Sequence, residues 1–412
     1  MGSGGSPRTL LVLGASGDQL FLIKTAQKMG LRVLAVDVDE SAPGLAEADD
    51  RAAVSTRDIP GLRNLVDRQK ASGIEFAGVT TMGSDIPQVV ASVAGYLGTP
   101  SVSPQSAAWT TDKYAMKCRL REQGIPVPDF VEVGSETELR RAVDELGLPV
   151  VIKPVDRSGA RGVSLARDPS RLSELYAEAR AESFTGRVMV ERFVPGPQIS
   201  TETVMVGGLG VTPGFVDRNY EHLNRFAPRI IENGGWAPSA VSGQDRRAVE
   251  ELVVGASRAL GIDTGVTKGD VVCSANGPMI IEIAARLSGG DFSESLVPLS
   301  TGVNYVEAAI KLSIGEKPDL GDLTRPATQA VANRYFFPRP GRLVALKGVE
   351  EAKAQSWLKK LEAWYSLGDT VPPIASHAKR FGVFVVVGND RAEVDARVRW
   401  VYDTVRIETA PA

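Results

Sequence analysis

Cysteine and histidine are scarce in this chain, with two of each in 412 residues: Cys118 and Cys273, His222 and His377. Cysteines so far apart, without ligand spacing, suggest neither a disulfide framework nor a zinc site, and a reducing cytoplasm is the expected compartment. Little histidine disfavours histidine bases and histidine-bound metals, which leaves the chemistry to carboxylates, lysines and arginines. No apolar run reaches the roughly 18 residues of a membrane span. An excess of one charge is also absent: 47 basic side chains stand against 50 acidic ones, a net charge of −3. Such balance gives no reason to expect nucleic acid or an anionic membrane as partner, so an anionic ligand must be met by individually placed cations.

What is there is an ordinary globular composition, 43% hydrophobic and 24% charged, over a length that calls for two or three packed domains. Residues 1–6, a Gly/Ser run after Met1, read as an appended linker rather than a signal peptide. Residues 9–13, a turn at 14–18, a helical stretch to Met29 and an apolar run at 32–37 make a βαβ unit, which implies a parallel sheet. Another strand is expected at 76–80, and the Gly/Pro/Ser-rich stretch 98–104 marks a domain boundary. A helix is expected from Thr110 to Gln123, stopped by Gly124. Strands at 148–153 and 188–193 bracket a helix around 170–182, and a glycine-rich loop, 156–162, follows Lys153. After 325 come strands at 329–337, 342–346 and 381–388 and a helix starting near Asp390.

The most informative stretch is 280–290, which carries Glu282 inside Ile-Ile-Glu-Ile and Arg286 four residues later. Segments 266–273 and 277–283 flank the turn signal Ser274-Ala275-Asn276-Gly277, so a hairpin is expected. Pairing centred on Asn276 sets Asp270 opposite Glu282 on one face. Opposed carboxylates repel, and an unpaired acid in an apolar strand is costly. Mg²⁺ bridging to phosphate oxygens removes the repulsion, and Arg286 is placed to reach a phosphate or an acyl phosphate. A solvated surface hairpin is the plainer alternative.

Lys153 closes an apolar strand and needs an anionic partner, which a nucleotide phosphate supplies. Taken alone, it also fits a snorkelling surface lysine. Ser158, Gly159, Arg161 and Gly162 offer backbone N–H groups and a guanidinium to phosphate oxygens. The Gly14-Ala15-Ser16-Gly17 turn with Asp37 imitates a dinucleotide-binding fingerprint, but the full G-x-G-x-x-G is missing, which favours a nucleotide-binding-like βα turn without nicotinamide. The segment 220–239, with His222, Arg225, Arg229, Glu232, Gly234, Gly235 and Trp236, suits either a polar substrate or a plain connection.

The order Lys113, Lys153, glycine-rich loop, Glu191, Asp270, Glu282, Arg286 resembles the ATP-grasp superfamily of carboxylate–amine ligases, and the tail from Ala330 looks like the L-amino acid ligase branch. The resemblance implies a mixed α/β and α+β ATP-grasp fold: a parallel-sheet domain at 8–105, an ATP-grasp region at 106–325 with a small clamping lobe at about 118–195, and a C-terminal domain at 326–409. It implies ATP and Mg²⁺, with Mn²⁺ as a substitute, small-molecule carboxylate and amine substrates, and a homodimer. Carried over, Lys113 and Lys153 bind phosphates, Glu191 with the backbone of Phe193 and Val194 holds adenine, and Asp270 and Glu282 bind the metal. Arg286 stabilises the acyl phosphate and the tetrahedral intermediate, Glu232 is the second catalytic candidate, and Glu202 lies near ribose or substrate.

Two departures stand out. Ala284 occupies the place where relatives usually carry Asn, and the ligases' Glu-x-Gly-His stretch reads Glu232-Asn233-Gly234-Gly235-Trp236. The reaction implied is attack of a substrate carboxylate on the γ-phosphate of ATP, then displacement of phosphate by an amine. Competing readings are a carboxylase or formate-using ligase, a nicotinamide-dependent oxidoreductase using Gly14 and Asp37, and a nucleotide-binding regulator without turnover.

Overall fold

The computed structural model describes residues 8–289 and 291–411; residues 1–6, read as a linker, and Gly290 of the 280–290 stretch lie outside the described residues. Near the N-terminus, four parallel strands run in the order Asp50–Ala53, Arg32–Asp37, Thr9–Leu13, Phe76–Thr80. Thr9–Leu13 is buried along its whole length, because successive side chains face opposite sides and both sides are covered. Leu10 and Val12 join the cluster of helices Leu20–Lys28 and Tyr305–Ser313. Leu11 and Leu13 join that of Ile59–Ala71 and Pro87–Leu97.

The expected helix from Thr110 to Gln123 is two helices, Pro104–Thr111 and Lys113–Glu122. Asp112 breaks the run because its carboxylate accepts hydrogen bonds from the Tyr114 and Ala115 N–H groups, both at 2.9 Å, and so caps the second helix. Lys113 therefore sits in a first helical turn, its side chain directed into the cleft described below.

The small lobe is an antiparallel sheet ordered Phe130–Val133, Val188–Arg192, Val150–Pro154, Ser164–Ala166. Helices Glu136–Leu146 and Leu172–Glu182 cover it with Leu139, Val143, Leu172 and Leu175.

An eight-stranded sheet follows, in the order Gly277–Ala284, Gly265–Ser274, Gln198–Val206, Leu209–Arg218, Gly235–Ala237, Ala330–Tyr335, Gly382–Gly388, Leu358–Ala363, and a three-stranded sheet, Thr370–Val371, Gly341–Lys347, Arg406–Ala410, completes the C-terminal region. Strand Gly235–Ala237 joins the two halves of the eight-stranded sheet, pairing with Leu209–Arg218 on one side and Ala330–Tyr335 on the other. Helix Gly243–Ala259 packs Val249, Val253 and Ala256 against Ile199, Val271 and Ile283. Helix Arg391–Thr404, capped by Asp390, covers the far half. Among the described residues, no helix is long and apolar enough to cross a membrane.

Candidate active site

Asp270 stands directly opposite Glu282, as expected, but by another route than pairing about Asn276. The turn is Ala275-Asn276, which pairs Ser274 with Gly277 and Val271 with Ile280; a bulge at Ile281 then brings Glu282 level with Asp270. One extra residue in a strand re-aims the side chains beyond it. Without the bulge, Ile281 would face Asp270.

The two acids are held by cations. Asp270 is buried; its Oδ1 accepts from Ser200 Oγ at 2.7 Å, its Oδ2 lies 2.8 Å from Arg218 Nη1, and Lys268 Nζ also pairs with Oδ2. Burial works against its ionisation, yet Arg218 and Lys268 hold its carboxyl far below the usual carboxylate range. Glu282 Oε1 lies 2.9 Å from Lys113 Nζ, which also donates to the Arg157 carbonyl at 2.8 Å. Arg286 Nε donates to Asp85 Oδ1 at 2.8 Å. Burial of Asp85 is outweighed by Arg286 and Lys113, which bring it down to about 2.

Behind this cluster, Glu191 Oε2 lies 2.7 Å from Lys117 Nζ and 3.1 Å from Lys153 Nζ. All three side chains are buried. Lys117 also reaches the Ile280 carbonyl of the acidic hairpin at 3.3 Å. Burial pulls its ammonium down to about 8 even with Glu191 beside it. Two ammoniums share one carboxylate here, a local excess of one positive charge that suits a polyanion.

A single cleft of about 1040 Å³ connects these groups. One end is lined by Val151, Lys153, Glu191, Phe193 and Val194; the middle by Lys113, Asp270, Glu282, Arg286 and loop residues Ser158, Gly159 and Arg161; the far end by Asp18, Glu232, Asp291, Glu294 and Trp364. Arg161 turns back on its own loop, Nη1 donating to the Ser158 carbonyl at 3.1 Å. The Phe193 N–H donates to the Pro149 carbonyl at 3.1 Å, so that donor is already engaged.

Several expected residues lie elsewhere. Glu202 is outside the cleft lining, 1% exposed, its carboxylate oxygens without hydrogen-bond partners; burial pushes its carboxyl up to about 8. Its side chain is enclosed beside Ser288 and Tyr305, with Arg286 and Lys268 nearby. Gly162 is also outside the lining: its φ is +67°, and a Cβ there would come within 3.0 Å of Glu182 and 3.2 Å of Ala179, so it serves loop packing. Glu232 lines the cleft but is tied to Arg218, whose Nε donates to Oε2 at 2.8 Å, which makes it the holder of the arginine beside Asp270. His222 packs edge-on to Phe226 and Phe337, and Arg225 donates to the Phe337 carbonyl at 3.0 Å. Arg229 pairs with Glu178 of the small lobe, and Trp236 donates to Asp395 at 2.7 Å. Asp37 accepts from the Ala15 N–H at 2.9 Å, closing the Gly14 turn instead of presenting an acid to ribose.

Asp85 and Lys117 were not singled out as site residues. Lys117 carried a signal, one helical turn from Lys113 on the same face. Asp85 carried none, since only the fold brings the N-terminal domain's loop to Arg286.

Among the described residues, no group of three or more His, Cys, Asp or Glu side chains could hold a metal ion by itself. Two opposed carboxylates with lysines and arginines around them fit an octahedral oxygen-seeking cation that draws its other ligands from phosphate and water, which is the habit of Mg²⁺.

Two lobes meeting over opposed acids and buried lysines define an ATP-grasp carboxylate–amine ligase. Residues 112–320 match the family described as "Carbamoyl-phosphate synthase L chain, ATP binding domain", just over half of the chain, and the chain belongs to that family. Residues 334–410 match "L-amino acid ligase C-terminal domain 2". An uncharacterized protein, y4rH, of Sinorhizobium fredii is 28% identical over 377 residues, 88% of this chain and 75% of that protein. A D-alanine–D-alanine ligase of Bordetella avium is 28% identical over 50% of this chain and 66% of its own length. A formate-dependent phosphoribosylglycinamide formyltransferase of Nitratidesulfovibrio vulgaris is 29% identical over 64% and 67%. In fold, the L-amino acid ligase from Bacillus licheniformis superposes with a TM-score of 0.84 at 22% identity, covering 98% of this chain and 99% of that one.

Proposed function

We propose that this ATP-dependent ligase phosphorylates a substrate carboxylate and passes the acyl group to an amine, forming an amide or peptide bond with an amino acid or a close analogue. The observation that carries the reading is the continuity of the cleft, from Lys153 and Glu191, past Asp270, Glu282 and Arg286, to a polar end at Asp18, Glu294 and Trp364. The L-amino acid ligase match of the tail, residues 334–410, supports it.

In this reading residues 8–105 wall the cleft, 106–325 carry ATP and 326–409 close the substrate end. Glu191, Phe193 and Val194 border the adenine, and Lys113, Lys153 and the loop at Ser158, Gly159 and Arg161 hold phosphate oxygens. Asp270 and Glu282 would hold Mg²⁺, which when bound neutralises charge on the transferring phosphate. The substrate carboxylate oxygen attacks the γ-phosphorus, the bond to ADP breaks, and an acyl phosphate forms. Arg286, oriented by Asp85, faces the acyl oxygen as the amine adds, and stabilises the tetrahedral oxyanion. Phosphate leaves. The small lobe excludes water that would otherwise hydrolyse the acyl phosphate.

A second reading, a small acid such as formate or bicarbonate as the carboxylate, is favoured by the formyltransferase relative. ADP release with Mg²⁺–ATP, measured against amino acids singly and in pairs and against formate and bicarbonate, separates the two. Release that needs an amino acid with an amine supports the first; release with formate or bicarbonate and no amino acid overturns it.

A further inference from the structure

His377 belongs to no expected motif and lies more than two hundred residues from the glycine-rich loop it touches. It opens a short turn, His377–Lys379, reached from Pro372-Pro373, and it lines the cleft. Two of its atoms face different parts of the site. Its backbone N–H donates to the Gly159 carbonyl at 3.1 Å, and its ring Nε2 accepts the Glu232 backbone N–H at 3.3 Å. Arg380 completes a clamp on the same residue: Nη1 donates to the Glu232 carbonyl at 3.3 Å and Nε to the His377 carbonyl at 2.9 Å, while the guanidinium stacks 3.4 Å from the centre of the Tyr335 ring. Both backbone polar groups of Glu232 are thus gripped by one turn of the C-terminal region.

Glu232 passes the constraint onward. Its carboxylate holds Arg218, whose Nη1 lies 2.8 Å from Asp270. A line of direct contacts therefore runs from Gly159 through His377, Glu232 and Arg218 to Asp270. Its first member is in a strained segment: Gly159 and Ala160 both have positive φ, +65° and +58°, the second unusual for a residue with a Cβ. A loop held so needs outside partners, and His377 is one. An imidazole accepting at Nε2 carries its proton on Nδ1, and burial favours that neutral form, with Arg380, Arg218 and Lys268 nearby adding to it.

We propose that His377 is a positioning residue that couples the seating of the glycine-rich loop on nucleotide to the placement of Glu232, and through Arg218 to Asp270, so that the substrate end is set only when the phosphate end is filled. This rests on the ATP-site reading above. Coupling between sites requires an element that both ends bias, and the turn at His377 is in contact with both.

The test is amide hydrogen exchange on the full chain, with and without Mg²⁺ and a non-hydrolysable ATP analogue. In wild type, nucleotide slows exchange in 156–163 and in 230–236. In His377→Leu, which keeps bulk and loses the acceptor, protection of 156–163 persists and that of 230–236 falls at least about fivefold; His377→Gln, whose side-chain oxygen accepts the Glu232 N–H, restores it. Exchange in strand Thr9–Leu13 reports folding, and His377→Met carries the same comparison if the leucine variant does not fold. Equal nucleotide protection of both segments in the leucine or methionine variant overturns the coupling. Absence of protection at 156–163 in wild type overturns the nucleotide reading itself.

Discussion

Asp85 and Arg286 form a half-buried ion pair, Nε to Oδ1 at 2.8 Å, across two parts of the chain 201 residues apart. The pair brings a loop of the parallel-sheet domain against the end of the acidic hairpin, where the bridge between Met82 and Leu287 and the Gly83 N–H to Leu287 carbonyl bond, 3.1 Å, run alongside. An arginine that must meet a developing oxyanion needs its plane fixed beforehand. Asp85→Asn keeps the shape and removes the charge. Turnover with Mg²⁺–ATP and the best acid–amine pair should fall about 10²-fold, the usual result of a small misplacement of a reacting group. Unchanged turnover would show that Arg286 needs no such orientation.

The opposed acids make a sharper demand. Glu282→Ala should lower ADP production by at least about 10²-fold, because several kcal/mol of charge neutralisation at the phosphate depend on both carboxylates. Isothermal titration with Mg²⁺–ATP gives an independent reading: the variant should bind the nucleotide more weakly and lose the dependence of that binding on Mg²⁺. Wild-type ADP release from Glu282→Ala would end the metal assignment.

How far the sequence revealed this site depends on the range of the interaction. Lys153, Asp270, Glu282 and Arg286 were legible because each is a charged residue at a local signal, a strand end or the two sides of a turn, whereas Lys113 was reached only through the resemblance. The parallel strands at 9–13 and 32–37 were legible for a similar local reason, being apolar runs around a glycine turn. Glu202 misled because its strand, Gln198–Val206, lies in the middle of the sheet with both faces covered, and sequence alone does not say that a polar residue in such a strand is sealed in. The turn at Asp112 was read through because a capping carboxylate and a mid-helix one look alike until the backbone bonds are placed. Asp85 and His377 reach the site only by tertiary contact, and no spacing encodes that.

Lys117 offers a test of the shared carboxylate. With Lys117→Met, Glu191 keeps Lys153 alone, a neutral pair where there had been an excess positive charge. The Michaelis constant for Mg²⁺–ATP should rise about tenfold, because Lys153 is then neutralised by Glu191 alone and the buried positive charge behind the cleft is lost, with kcat reduced much less. Steady-state kinetics in ATP at saturating co-substrates decide the point. A fall in kcat with an unchanged ATP constant would assign Lys117 to the chemistry rather than to nucleotide binding.

Glu202 makes the stability of the fold pH-dependent in a definite direction. Its carboxyl is pushed up to about 8 by burial, against an ordinary value near 4.5. Between those two values the unfolded chain has released the proton and the folded chain retains it, so this group makes folding less favourable as pH rises, by at most about 1.4 kcal/mol per pH unit, and the loss levels off above about 8. Glu202→Gln cannot ionise and removes the dependence. The melting temperature of the glutamine variant minus that of wild type should therefore rise between pH 5 and pH 8, whatever the fixed cost of the amide at that position. A signed difference that stays constant over the range, or that falls toward pH 8, would mean that the carboxyl is ionised in the folded state and that water or a neighbour such as Ser288 or Tyr305 stabilises the charge.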